Sequence, residues 1–596
     1  METAEEIYYT HAFVYSTKQV VSGTMKLLLE DLEKHFETKT ITRESNGLIF
    51  ISVGQTMKEF ATLAEKHQIM CKLRSAKDQG EALWEPYTKE NETKFLSRDL
   101  SKKGSVSIHV APFEFDSCMR QEMIHKELLQ VFDVAGFDEI TEKDKFFLTI
   151  FPLHDKNELP RTIDKTNKMI THKYETERIN TQREYFGIDV ALYFSFFAKY
   201  IQLLGLPTLL GLFLYFVNSM LSEERPLMYL GFGFVIVIWA NHFVDEWRRS
   251  KKSLQRTFNL FNKSTFSEES NSLHYSQIVQ KFKNVKPNRL ISLVATIAMD
   301  VAAVLVIILI NRRKIALGTE HRMALTPMEN IGMIIVTGIA NVVMGIFYKK
   351  AAAKLTEFEK QETEKGKTKS LLLKTFLFDL FTNITFVCSV AFIAKDIDYL
   401  FPVLTFIFVT QAIIKLSAAA LLPPIMYKVK LYLYNKKKNQ SKSNDNKKSE
   451  ITDVELQYIA APFGDNNSNY EALVVQYCYI CIFGMFYPLA FPFSLLKNVI
   501  LSKVQSKNFH WLRRPHYRQP EITLAIDRYW EKIMRLIPLV SLIFNARLLF
   551  ILHGERFETK NIYQLVFFSM LSFIVVLFTL RSTNTAQKRK IEKKDN

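Results

Sequence analysis

Charged side chains stand inside three long apolar segments of the chain, where an isolated charge is costly to bury. Asp300, Asp379 and Lys415 each lie within a stretch long and apolar enough to form a membrane-spanning helix. Ionisable residues in such stretches are functional candidates by default. Two interpretations of Asp300 stay open: it lines a polar path through the membrane, or it forms a structural ion pair, for example with Lys415.

Uncharged polar residues occur along the same segments. Thr337 and Asn341 are four residues apart and therefore share one face of a helix. Each polar side chain, taken alone, is explained by a hydrogen bond to its own or a neighbouring helix. Their clustering in consecutive segments nevertheless favours a groove or pore. The candidates for its lining are Asp300, Thr337, Asn341, Asp379, Asn383, Gln411, Lys415 and Gln476.

The motifs exclude several classes of chemistry. The chain has five cysteines, a sparse and odd set that implies no disulfide framework. Cys478 and Cys481 form a CxxC pair, but it lies in an apolar segment without a second pair, so we expect no metal site there. No GxSxG, P-loop, HExxH or GxGxxG pattern occurs in a suitable context. We therefore expect no enzymatic activity and no cofactor, and we interpret His154 as structural.

The spacing of apolar residues sets the fold class. The chain has 596 residues, 48% of them hydrophobic, and apolar stretches of spanning length recur beyond about residue 190. About 20 apolar residues in a helix cross the ~30 Å core of a bilayer. The sequence therefore predicts a mainly α-helical polytopic membrane protein with about ten spans. They are 191–220, 227–247, 290–311, 329–348, 371–394, 399–427, 470–487, 488–508, 523–552 and 562–581.

The distribution of Lys and Arg orients these spans. The net charge is +17, and most basic residues of this half lie in the segments that follow even-numbered spans. The positive-inside rule makes those segments and both termini cytosolic. Arg312, Arg313 and Lys314 are the exception, and we expect them to reach headgroups by snorkelling. Membrane phospholipids, especially the anionic lipids of the cytosolic leaflet, are the expected partner of this charge, and nucleic acid is not.

The first 180 residues read as ordinary mixed sequence. Their pattern predicts the β-α-β-β-α-β order of a ferredoxin-like α+β domain. The predicted strands are 7–15, 38–43, 47–53 and 70–74, the helices are 21–37 and 55–67, and further elements are a polar loop at 80–105, strands at 106–112 and 146–152 and a helix at 117–133. The predicted domains are a cytosolic 1–180, a membrane domain 181–582 and a short basic cytosolic tail 583–596.

Six short motifs occur in a fixed order relative to the predicted spans. They are FPLHD at 151–155, REYFGIDVALYF at 183–194, FVDEWRR at 243–249, LTEFE at 355–359, PLAFPFSLLKN at 488–498 and RRP at 513–515. In order, spacing and position this set resembles the anoctamin family over roughly 145–580. The resemblance implies a homodimer of ten-span subunits, each with a membrane-exposed groove lined mainly by spans three to seven. Members are calcium-activated chloride channels, calcium-activated phospholipid scramblases or, in some fungi, membrane tethers.

The resemblance also implies calcium ligands, mostly carboxylates, between spans six, seven and eight, and this chain departs from that pattern. Anchoring the spans on Pro424, Gln476 and residues 495–498 places neutral residues at the ligand positions. Those positions are Leu416, Ala420, Asn469, Ala472, Leu501 and Gln505. Calcium takes six to eight oxygens, several of them charged, and residues 472–508 contain no Asp or Glu. We therefore expect no calcium site in the membrane.

Lysines stand in this region instead. Lys415, Lys497 and Lys503 motivate the hypothesis that a fixed ammonium takes the electrostatic role of calcium and leaves the groove permanently open or closed. For Lys497 and Lys503 we favour the simpler interpretation that they snorkel to cytosolic headgroups. Lys415 lies deeper in its span, so it is expected to face a groove, a water pocket or a carboxylate.

Three functions remain, in order of preference. The first is passive phospholipid scrambling along the groove without calcium control, the second is an anion channel, and the third is a membrane-contact or structural protein. The short tail after the last span speaks against the third, since fungal tethers of this family carry long disordered tails. Lys593 and Lys594 resemble a dilysine retrieval signal, so we expect the endoplasmic reticulum before the plasma membrane.

Overall fold

A computed structural model of the chain describes most of the residues up to His553. The described ranges are 7–16, 40–45, 47–73, 84–95, 113–134, 149–156, 158–167, 175–220, 226–258, 285–320, 327–361, 364–388, 397–440, 451–464, 466–518 and 520–553.

The N-terminal part combines short strands with helices. The strands are β1 (Tyr8–Ser16), β2 (Thr40–Ser45), β3 (Leu48–Gln55), β4 (Met70–Lys72), β5 (Trp84–Pro86) and β6 (Thr149–Pro152). The helices are α1 (Met57–Lys66), a 3₁₀ helix (Lys89–Lys94), α2 (Ser117–Val134), α3 (Glu158–Asn167) and α4 (Glu175–Phe186).

The main sheet is antiparallel, with the strand order β2-β3-β1-β6. Successive side chains of a strand point to opposite faces, and both faces of β1 are buried. Phe13 packs in a core with residues of α1 and α2. Val14, on the other face, packs in a cluster with Phe50 and Phe151, and Tyr458 lies against that cluster. The sheet is therefore a middle layer between its own helices and a segment that belongs to the membrane half.

The strand predicted at 70–74 is present as β4, but it does not join this sheet. Residues 70–72 form a strand, but it pairs with β5 in a separate two-stranded sheet. The predicted strand 146–152 is present as β6 and takes the free edge of β1. Local pattern identifies strands, whereas pairing depends on contacts distant in sequence, here more than 130 residues apart.

Other N-terminal expectations have mixed outcomes. The helix predicted at 117–133 is confirmed by α2, whereas the loop expected at 80–105 contains β5 and the 3₁₀ helix. The helix predicted at 21–37 and the strand at 106–112 lie outside the described residues. The ferredoxin-like arrangement therefore stays a prediction.

Long helices make up the rest of the described chain. They are α5 (Ile188–Met220), α6 (Pro226–Thr257), α7 (Val285–Glu320), α8 (Pro327–Phe358), α9 (Glu364–Cys388), α10 (Ile397–Gln440), the short α11 (Asp453–Ile459), α12 (Asn466–Phe483), α13 (Ala490–Asn508) and α14 (Pro520–His553). Apart from α11, each overlaps one of the first nine predicted spans. The tenth, 562–581, lies outside the described residues.

Four stretches in the described part are long and apolar enough to cross a membrane on length and composition alone. They are Ile188–Met220, Met228–Thr257, Asn288–Leu309 and Pro402–Lys438. The membrane-protein class predicted from the sequence is thus supported, and the count of ten spans stays a prediction. The reversal predicted at Tyr487 and Pro488 is confirmed, since α12 ends at Phe483 and α13 begins at Ala490.

Aromatic residues fill the core between α5, α6, α12 and α14. Their polar atoms reach backbone carbonyls of neighbouring helices. The Tyr477 hydroxyl lies 3.3 Å from the Ala240 oxygen and 3.2 Å from the Met534 oxygen. The Trp239 indole N–H donates to the Leu203 oxygen over 2.7 Å. Buried aromatic rings supply apolar area while these bonds satisfy their polar ends, so the helices are held in one rotation.

His154 and Arg514 join the N-terminal sheet to the membrane half. The Nε2 of His154 donates to the Leu512 oxygen over 3.2 Å, and its Nδ1 accepts from the Tyr185 hydroxyl over 2.9 Å. Arg514 donates to the Leu153 oxygen over 3.2 Å, and its guanidinium lies 4.6 Å from the centroid of the Tyr185 ring. The FPLHD and RRP motifs therefore meet at one buried junction.

We expect this junction to weaken in acid. Burial and the nearby charge of Arg514 lower the pKa of His154 from 6.5 to about 3, so its imidazole is neutral when the protein is folded. The unfolded chain takes up this proton below about pH 6.5, so stability falls between about pH 6.5 and 3, by up to about 1.4 kcal/mol per unit. Thermal midpoints measured across this range should fall less steeply for His154→Gln. The exposed His510 provides the control, His510→Gln, and equal slopes for all three proteins would contradict the assignment.

Candidate functional site

Charged side chains from four helices meet beside α10. Lys349 of α8, Asp379 of α9, Lys415 of α10 and Glu471 of α12 interact electrostatically with one another. We call these four residues the charged cluster. Lys349 is exposed, Asp379 and Lys415 are half-buried and Glu471 is buried. The cluster therefore runs from the protein interior to its surface, between helices that expose mostly apolar side chains.

The apolar exposure around the cluster is extensive. On α8 the exposed residues include Val343, Ile346 and Phe347, and on α10 they include Ile413 and Ile414. Large exposed apolar faces on long helices are expected where lipid replaces water as the solvent. The charged cluster is thus a polar strip bordered by surfaces that suit acyl chains.

A small cavity lies behind Lys415, between α10, α12 and α13. Its lining consists of Phe408, Ala412, Lys415, Gln476, Tyr479, Phe493, Ser494 and Lys497. The ammonium group of Lys497 donates to the Gln476 side-chain oxygen over 2.6 Å. Lys497 is only 8% exposed, so the expectation that it snorkels to headgroups was wrong. The rotation of α13 turns it inward, whereas Lys503 on the same helix is exposed.

Asp300 does not form the suggested pair with Lys415. Its carboxylate interacts with the Tyr348 hydroxyl, and Tyr348 donates to the Lys374 oxygen over 3.1 Å. Asp300 lies on the face of α7 that packs against α8 and α9. Lys415 instead lies within electrostatic range of the carboxylates of Asp379 and Glu471.

For four of the polar candidates the structure describes the backbone and not the side chain. The backbones of Thr337, Asn341, Asn383 and Gln411 lie in α8, α9 and α10, and their side chains are outside the described part. Lys593 and Lys594 also lie outside it. Of the proposed groove set, the structure brings together Asp379, Lys415 and Gln476, and it adds Lys349 and Glu471. Lys349 was not predicted among the groove residues, because it is the first residue after the fourth predicted span, 329–348, and so belongs to the predicted cytosolic segment.

The comparison with known proteins covers the membrane half of the chain. Residues 182–592 match the family described as "Anoctamin: Calcium-activated chloride channel". The chain belongs to the anoctamin family. Anoctamin-10 of Mus musculus is 24% identical over 428 residues, which cover 67% of this chain and 62% of that protein. Anoctamin-10 of Homo sapiens is 24% identical over 426 residues with the same coverage, and Anoctamin-1 of Homo sapiens is 21% identical over 534 residues, 67% of this chain and 53% of that protein.

This anoctamin is therefore a divergent member and an integral membrane protein. It spans less than two thirds of the length of these curated relatives. The family description names calcium, so the residues at the implied ligand positions decide whether calcium fits this anoctamin.

The implied ligand positions do not fit calcium. Gln505 donates to the Asn469 side-chain oxygen over 3.4 Å and accepts from the Tyr193 hydroxyl over 2.8 Å, so these amides satisfy one another. Leu416, Ala420, Ala472 and Leu501 carry no side-chain oxygen. Among the described residues, no group of three or more His, Cys, Asp or Glu is placed to hold a metal ion. A hard divalent cation needs several charged oxygens, and none of these six positions supplies one.

Proposed function

We propose that this anoctamin is a passive phospholipid scramblase that works without calcium in the membrane. The charged cluster is the observation that carries the proposal. Moving a lipid headgroup through hydrocarbon is costly unless polar groups replace its water. Lys349, Asp379 and Lys415 offer such groups along the path, while the exposed apolar residues of α8 and α10 accommodate the acyl chains.

The arrangement of the helices supports an open side to this path. Within the described residues α10 packs mainly against α13, and α8 packs against α7 and α9. α9, which carries Asp379, also touches α10. A headgroup would therefore move along α9 between α8 and α10, down its gradient and without ATP.

A fixed ammonium takes the place of calcium in the proposal. Lys497 links α13 to α12 through Gln476, between the helices that correspond to spans seven and eight. Calcium would join these helices through carboxylates, whereas the bond from Lys497 to Gln476 needs no ion and joins them at all times. The groove is therefore constitutive.

The remaining parts of the proposal rest on the sequence. They are ten spans, a homodimer, a ferredoxin-like cytosolic domain, contact with anionic cytosolic-leaflet lipids and residence in the endoplasmic reticulum through Lys593 and Lys594. No enzymatic step is included. Tagged protein in fractionated cells tests the location, and Lys593→Ala with Lys594→Ala should shift it towards the plasma membrane.

Dithionite quenching of labelled lipids in proteoliposomes tests the function. We expect equal scrambling in calcium and in chelator. Lys349→Leu should slow scrambling about tenfold if one headgroup contact worth about 1.4 kcal/mol is lost. Lys350→Leu is the matched control, since Lys350 is exposed beside it and outside the cluster.

Three results would count against the proposal. Absence of scrambling in both conditions removes the scramblase function. Scrambling only with calcium removes the constitutive groove. If Lys349→Leu and Lys350→Leu slow scrambling equally, the charged cluster is not part of the lipid path.

An anion channel is the second candidate, favoured by the inward ammonium groups of Lys415 and Lys497. It predicts chloride flux in the same proteoliposomes and a loss of flux in Lys415→Leu. Flux without scrambling would select it over the first candidate.

A further inference from the structure

Five of the eight residues that line the cavity between α10, α12 and α13 carry hydrogen-bond donors, and the other three are apolar. Lys415 and Lys497 contribute ammonium groups, Ser494 a hydroxyl and Gln476 an amide, and the Tyr479 hydroxyl donates to the Asp379 backbone oxygen over 3.1 Å. Because Gln476 already accepts from Lys497, its N–H₂ group is left to donate. A site of this composition suits an acceptor, and no carboxylate is part of its lining.

The charges around the cavity are unevenly paired. Asp379 and Glu471 act on Lys415, and exposed Lys349 acts on the same two carboxylates. The charged group that acts on Lys497 is another ammonium, that of Lys415. No ion pair of Lys497 occurs within the described ranges. A buried ammonium without a counter-ion is strongly destabilising.

Ser494 supplies an independent observation. Its side chain is 2% exposed, and its hydroxyl lines the cavity without a hydrogen-bond partner among the described residues. Ser494 lies three residues before Lys497 on α13, so both side chains face the same side of that helix. Buried hydroxyls are rarely left unbonded, which indicates that something small occupies the space in front of it.

We propose that this cavity binds one small monovalent anion, chloride, as the resident counter-ion of Lys497. The space measures about 20 Å³, enough for one water molecule or one monatomic ion and too small for a phosphate headgroup. Lys497, Lys415, Ser494 and Gln476 would hold the ion. Calcium-dependent relatives would place positive charge between these helices, whereas this chain would place a negative ion between fixed positive groups.

This anion site is structural and does not depend on what the groove transports. It joins α10 to α12 and α13, so anion binding should stabilise the folded protein by mass action. The test is thermal unfolding of the purified full chain in detergent, in sodium chloride, sodium bromide or sodium gluconate at one ionic strength. We expect a saturable rise of about 2 °C or more in chloride and bromide over gluconate.

Substitutions distinguish halide binding in this cavity from a general effect of salt on thermal stability. Ser494→Ala should raise the half-saturating chloride concentration about tenfold, through loss of one hydrogen bond to a charged ligand. Lys497→Met should abolish the halide effect, and Lys503→Met, on the same helix but exposed, should retain it. If Lys497→Met fails to fold, Ser494→Ala still decides the matter. No halide effect in the unmodified protein, or the same effect in Ser494→Ala, would show that water fills the cavity.

Discussion

Replacing Lys251 by methionine is expected to destabilise the protein by about 3–5 kcal/mol. The Nζ of Lys251 lies 2.6 Å from a carboxylate oxygen of Asp527 and 2.6 Å from one of Glu531. The Lys251 and Asp527 side chains are 5% and 2% exposed. Trp247 donates to the other Asp527 oxygen over 3.0 Å. Methionine keeps the length and removes the charge, so two carboxylates lose their shared counter-ion.

Size-exclusion profiles after heating would measure this loss as a lower temperature for disappearance of the monodisperse peak. Arg249→Met is the matched control. Arg249 is 76% exposed and pairs with Glu246 over 3.5 Å, and such surface pairs contribute about 0–1 kcal/mol. Adding Asp527→Asn to Lys251→Met should restore part of the stability, since the buried Asp527 side chain is then uncharged, whereas Glu531 keeps Arg248 and Arg535 as partners. Equal effects of Lys251→Met and Arg249→Met would contradict this account.

The same ion pairs explain an unusual feature of one predicted span. Residues 523–552 begin with several charged residues, whereas a membrane span is mostly apolar. In the structure three of those residues face α6: Arg535 pairs with Asp245 over 2.7 Å, and Asp527 and Glu531 pair with Lys251. The FVDEWRR motif therefore supplies partners for the charges of α14. A charged helix start is compatible with a span when a neighbouring helix neutralises it.

The sequence predicted the positions of the helices better than their rotations. Apolar length alone placed nine predicted spans on described helices, because hydrocarbon thickness fixes that length. It could not place Lys497, since an inward or outward lysine on α13 differs only by the rotation of the helix. That rotation depends on packing against α10 and α5. The partner of β1 at the sheet edge was missed for the same reason, as it depends on a strand distant in sequence.

The residues of the candidate site could also be predicted only in part from the sequence. Composition revealed the missing carboxylates between 472 and 508 without any knowledge of register. It also pointed to Lys415 as a charge that needs a partner, and the structure supplies Asp379 and Glu471. Lys349 and Ser494 were not singled out, because an exposed lysine at a helix end and a single serine are both ordinary in sequence. Their meaning comes from the groups that surround them.

Gly484→Ala is the second substitution with a large expected effect. Gly484 lies in the turn between α12 and α13, where its N–H donates to the Ile480 oxygen over 2.8 Å. A Cβ atom there would overlap the same Ile480 oxygen, approach the Phe491 ring within 2.9 Å and approach Ile236 within 3.3 Å. A backbone oxygen cannot move aside as a side chain can. Overpacking of this kind costs about 1–3 kcal/mol or more.

The consequence reaches the site, because this turn sets how α12 and α13 lie against each other. Separating them would lengthen the 2.6 Å contact between Lys497 and Gln476, so Gly484→Ala should lower both thermal stability and the halide response. Gly205→Ala is the control, since a Cβ there meets nothing within 4 Å and alanine favours a helix by about 0.5–1 kcal/mol. Equal thermal midpoints for the two variants would show that the turn tolerates a side chain. A lower midpoint with an unchanged halide response would show that the turn acts on folding without setting the geometry of the anion site.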